Sequence, residues 1–155
     1  MVAGAIKMRG LVFALCSLSG LPATPALSAA ILADDYYEER VSATCPADFG
    51  FCRLNFSAIP VGKVVILERV GCVLSVSNQP VIHAQIGVSA TSGGTPTRSI
   101  PLTFPRTLQT SSYHFYNTNE EIKFRIGNGR YPYVFAEYLN AANGSMECVI
   151  VGTVK

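Results

Sequence analysis

KVVILERVGCVLSVS, residues 63–77, decides the fold. Its even positions Val64, Ile66, Val70, Cys72, Leu74 and Val76 are apolar and only Glu68 interrupts them. A period of two over this length marks a half-buried β-strand, because successive side chains on a strand point to opposite faces. MECVIVGTVK, residues 146–155, carries the same signal: Met146, Cys148, Ile150 and Val154 share one face, opposite Glu147, Thr153 and Lys155.

The period persists around these two stretches. Leu54 and Phe56 alternate with Arg53 and Asn55, and Pro60 and Gly62 turn the chain into residue 63. Ile82, Ala84, Ile86 and Val88 alternate with His83, Gln85, Gly87 and Ser89, and a glycine-rich loop follows at 91–97. SIPLTFPRTL holds Pro101 and Pro105, so it is confined to an edge or an irregular segment. SYHFYN, EIKFRIG and YPYVFAEYL read as three further strands, with Gly127-Asn128-Gly129 as a hairpin turn between the last two and Asn143-Gly144 as another turn before the closing strand. No window from 45 to 155 has a helical period. The pattern predicts an all-β domain of seven or eight antiparallel strands, a β-sandwich of jelly-roll type.

The chain has 155 residues, too few for two full-sized domains and enough for one core. Lys7 and Arg9, the apolar run Gly10–Leu21 and the small-residue stretch PATPALSAA form the three parts of a secretory signal, with cleavage expected after Ser28 or Ala30. The apolar run is short of the roughly 20 residues of a membrane span, so no stable membrane anchor is expected. Leu15 before Cys16 stands where a lipid-attachment motif wants a small residue. The organisation expected is a removed signal peptide at 1–30, a flexible acidic arm at 31–44 and one sandwich domain at 45–155. The product is expected to be secreted or periplasmic.

Cys45, Cys52, Cys72 and Cys148 remain in the mature chain. An even count in an exported domain predicts two disulfides. Pro46 and Gly50 let CPADFGFC close as a small loop, giving Cys45–Cys52. Cys72 and Cys148 each lie on the apolar face of a strand, giving Cys72–Cys148. In the chain-entropy estimate the long bridge contributes about 4 kcal/mol and the short one about 2.5 kcal/mol.

Ile59-Pro60-Val61-Gly62-Lys63 leading into Val65–Val70, with the closing Cys148-Val149-Ile150-Val151-Gly152, resembles a loose group of uncharacterised secreted bacterial β-sandwich proteins over about residues 58–155. The resemblance implies a sandwich fold and an exported location. It carries no catalytic or binding residue over.

Residues 31–155 hold ten basic and ten acidic side chains, which argues against a nucleic-acid partner recruited by bulk charge. Without GxSxG or a helix to receive it, a serine nucleophile has no place, and His83 and His114 sit on strands without an orienting partner in sequence. Gly127–Pro132 opens no helix and so lacks the amide cluster that binds phosphate. Asp34, Asp35, Glu38 and Glu39 lack calcium-loop spacing, and no cofactor or metal is expected. Glu68 reads either as a carboxylate displaced by a bulge or paired with arginine, or as the acid of a small hydrolase.

The aromatic residues of 113–138 are the most suggestive feature. Tyr113 and Phe115 face opposite to His114 and Tyr116, and Tyr131, Tyr133 and Phe135 face opposite to Val134, Ala136 and Tyr138. One face of a sandwich sheet meets solvent, so Tyr113, Tyr116, Arg130, Tyr131 and Tyr133 are the candidate ligand-binding residues. The expected role is a non-enzymatic interaction or structural module, with a protein or polysaccharide partner at the envelope or outside it, or self-association into a homo-oligomer. Sugar binding by the tyrosines is the alternative, and the Glu68 hydrolase the third reading.

Overall fold

Period-two segments parted by Gly, Pro and Asn turns become ten strands in the computed structural model, which describes residues 30–155. The expected leader, apart from Ala30, lies outside the described residues. The strands are β1 (Ile31–Ala33), β2 (Tyr36–Cys45), β3 (Phe51–Asn55), β4 (Val65–Val76), β5 (Val81–Ser89), β6 (Pro96–Pro101), β7 (Arg106–Gln109), β8 (His114–Ile126), β9 (Tyr131–Tyr138) and β10 (Gly144–Val154). They form two antiparallel sheets, a six-stranded one in the order β1-β2-β10-β4-β8-β7 and a four-stranded one in the order β3-β9-β5-β6. The core between them is filled by alternate residues of both, among them Leu54, Leu67, Leu74, Ile86, Ile126, Val134 and Ile150.

The expected arm at 31–44 is a correction. Residues 36–45 run antiparallel to β10 along their whole length, from Tyr36↔Thr153 to Cys45↔Gly144. Tyr37, Glu39 and Cys45 face inward and are buried. A glutamate at an inward position hides the alternation, because its burial depends on hydrogen-bond partners elsewhere in the chain. The strand count rises to ten for this reason and because Pro96–Pro101 and Arg106–Gln109 pair as two separate short strands. In the other direction, SYHFYN and EIKFRIG merge into the single 13-residue β8.

The phase of β4 also departs from expectation. Both of its ladders shift register at Leu67–Arg69, and neighbouring Glu68 and Arg69 are both exposed. Beyond this bulge the even residues Val70, Cys72, Leu74 and Val76 face the core, but before it Val65 and Leu67 do, not Val64 and Ile66. Gly152 stands across from the irregularity, and a Cβ there would collide with the carbonyl oxygen of Ile66. The bulge is thus matched by the one side-chain-free residue that lets the backbones approach.

The turn at Gly127–Arg130 is not a hairpin, because β8 and β9 belong to different sheets. It crosses the sandwich, held by Gly129 N–H donating to the Ile59 carbonyl at 2.8 Å.

Both disulfides are formed. Cys72 and Cys148 are directly opposed on adjacent strands, with Cα atoms 4.1 Å apart. Cys45–Cys52 joins the end of β2 to β3, and so fastens one sheet to the other. Further along the same flank the buried Glu39 carboxylate accepts the Tyr37 hydroxyl at 2.8 Å and the Ser57 backbone N–H and hydroxyl, each at 2.9 Å.

Candidate functional site

The four-stranded sheet builds its outer face from alternate residues of β3, β9 and β5. Their ladders align Phe51 with Glu137 and His83, Arg53 with Phe135 and Gln85, and Asn55 with Tyr133 and Gly87. Phe51 stacks on Phe135 with ring centroids 5.4 Å apart, and Phe49 tilts against Phe51 at the same distance. Phe49 is 49% exposed and Phe51 38%. Three phenylalanines therefore form a ladder on the surface, bordered by the exposed Glu137 and His83 and the half-buried Arg53.

Beside the ladder Tyr133 lies across Gly87, where a Cβ would collide with its ring and hydroxyl. The Arg53 guanidinium covers the ring, 4.2 Å from its centroid. Gln85 Nε2 donates to the Tyr133 hydroxyl at 3.3 Å, and Arg53 Nε donates to Asn55 Oδ1 at 2.9 Å. Burial raises the Tyr133 hydroxyl above its ordinary pKa, against the opposing pull of Arg53, and lowers that of Arg53. The cluster is a closed cation–aromatic stack, which contributes more as it loses water.

The five candidate residues do not form one surface, which corrects the sequence expectation. Tyr133 is wholly buried. Tyr116 faces the core, its hydroxyl donating to the Gln79 carbonyl and accepting the Val81 N–H, each at 3.3 Å. His114 is buried beside it with Nδ1 3.2 Å from the same carbonyl. Both residues hold the turn between β4 and β5. Tyr113 is exposed just before β8 of the other sheet, and the 13 residues of β8, about 40 Å of strand, separate it from exposed Arg130 and half-buried Tyr131. Read as two strands, SYHFYN and EIKFRIG can fold back on one another and set Tyr113 near Tyr131; as the single strand β8 they hold it at the far end.

The outer face of the six-stranded sheet holds a shallow depression of about 550 Å³ lined by Glu38, Arg40, Gly71, Val73, Asn117 and Glu147. Gly71 supplies its floor, and Arg40 and Glu147 form an ion pair at its side. A second hollow joins it through Val73 and Glu147 and reaches Phe115, and a third holds the Phe115–Tyr113 pair. Glu68 lies farther along this face, exposed, accepting the Thr153 hydroxyl at 2.7 Å; Arg69 beside it pairs with Glu121 at 3.6 Å. The bulge accounts for its place in an apolar run.

The phenylalanine ladder was not singled out in the sequence. Phe49-x-Phe51 alternates, but its partner Phe135 lies 84 residues later and the pairing of β3 with β9 is non-local.

No family model and no curated protein matches this sequence. Among solved structures, the dimeric latent form of PorU from Porphyromonas gingivalis is similar at a TM-score of 0.44 and 11% identity. The similarity covers 84% of this chain and 14% of PorU.

Proposed function

We propose that this protein is an exported, non-enzymatic interaction module of the periplasm or cell exterior that docks a protein partner on the four-stranded sheet through Phe49, Phe51 and Phe135. The observation that carries this reading is the exposed phenylalanine ladder with its rim of Arg53, Glu137 and His83. An apolar aromatic centre inside a polar border is the anatomy of protein interfaces, whose energy concentrates in a few large side chains. Two disulfides suit an oxidising compartment. A photo-crosslinking residue at position 51, in the exporting cell, is expected to give a discrete adduct that Phe135→Ser removes; the same residue at position 107 serves as control. Equal labelling from 51 and 107 would count against the reading.

A second reading has its own observation. The depression across the six-stranded sheet joins charged and amide side chains to the exposed Tyr113–Phe115 pair, a combination suited to a polysaccharide chain. Its test is co-sedimentation with cell-wall polysaccharide, with Tyr113→Ala as the variant expected to lose retention.

A further inference from the structure

The two flanks of the sandwich differ. On one, the outermost strands are β6 and β7, joined by a four-residue connector, and Pro96, Pro101 and Pro105 remove amide donors there. On the other, β1 covers only Tyr36–Glu38 of β2. Among the described residues nothing but β10 pairs with the backbone of Glu39–Cys45, and this seven-residue edge contains no proline. Val41 and Ala43 face the core from it but are only half-buried. A bare strand edge of this kind is a template for another strand, and prolines are a common device against it.

We propose that a second copy of this chain occupies the edge, β2 pairing antiparallel with β2 of its partner about a two-fold axis at Ser42. The register follows from the residues. Matching inward with inward positions places the axis on a residue, since a one-residue slip would turn Val41 and Ala43 outward. Centring on Ser42 pairs all seven free residues; centring on Val41 or Ala43 pairs fewer, because β1 blocks the lane at Glu38. In this register Val41 meets Ala43 on the core side and Arg40 meets Thr44 on the outer side, so like charges are not opposed. Arg40 stays with Glu147 of its own sheet. The result is one continuous sheet of twelve strands across two copies. This pairing is independent of the phenylalanine ladder, and it rests on removal of the leader through Ala30, the residue next to the Ile31↔Glu38 pair in the same lane.

The test uses protein exported and processed from its full-length gene. Sedimentation is expected to show a concentration-dependent dimer. Ser42→Lys sets two ammonium groups face to face at the axis and is expected to weaken the dimer about tenfold or more with the melting of the monomer unchanged. Ser42→Cys is expected to cross-link to a covalent dimer under oxidation, and Thr107→Cys on the proline-bearing flank to form no cross-link. A monomer at every concentration, or a dimer indifferent to Ser42→Lys and not trapped by Ser42→Cys, would overturn the proposal.

Discussion

Glu39 grips Ser57: Oε1 accepts both its backbone N–H and its hydroxyl at 2.9 Å, and Oε2 lies 3.1 Å from the same N–H. The two residues belong to β2 and to the chain leaving β3, the same segments that Cys45–Cys52 joins. Replacing Glu39 by Ala leaves Ser57 and the Tyr37 hydroxyl without their acceptor, and is expected to cost about 2–4 kcal/mol. Ser57→Ala removes only the hydroxyl and is expected to cost about 1 kcal/mol. Urea denaturation of the oxidised protein at neutral pH separates the two; equal losses would mean that the backbone N–H contributes little.

Gly87 gives Tyr133 the room to lie flat. Gly87→Ala is expected to destabilise by about 1–3 kcal/mol, the range of core overpacking. In a Tyr133→Ala background the Tyr133 collision is gone and the added cost of Gly87→Ala should shrink. A double-mutant cycle without coupling would show that the strain lies elsewhere, at the Arg98 carbonyl 2.8 Å from the would-be Cβ.

Tyr138 carries a buried hydroxyl with no partner among the described residues. Tyr138→Phe removes a desolvated polar atom and keeps the ring, so stability is expected to stay level or rise by up to about 1 kcal/mol. A clear loss would reveal a bound water that the hydroxyl serves.

Burial raises the hydroxyl pKa of Tyr37, Tyr133 and Tyr138 above 10.0; for Tyr37, Glu39 adds to the effect. In the unfolded chain these groups ionise near 10.0, and in the fold they stay protonated beyond it, so the native state binds more protons above that pH. Their contribution is complete below 10.0 and declines as pH rises, with a limiting slope of about 1.4 kcal/mol per pH unit for each group. Denaturation between about pH 9 and 11 is expected to show this fall, less steep in Tyr37→Phe.

Where the chain alternates without interruption, residue and environment could be read together: Cys72 and Cys148 face inward and meet. The bulge at Glu68 broke that inference for Val64 and Ile66, since one displaced residue reverses the phase on one side of it. Glu39 disguised β2, because its partner Ser57 is distant in sequence. The grouping of Tyr113 with Tyr131 failed because SYHFYN and EIKFRIG run on as the single strand β8, and the polar run Asn117–Glu121 between them fits a turn and a strand alike. The phenylalanine ladder needed the β3–β9 pairing, which local pattern does not encode.

Pro96, Pro101 and Pro105 bear on more than their own segments of β6 and its connector to β7. A sandwich with two receptive flanks would add copies at both and propagate as a filament. With prolines thinning the donors of one flank, addition at the other uses up the receptive end, so assembly by edge pairing terminates as a closed pair.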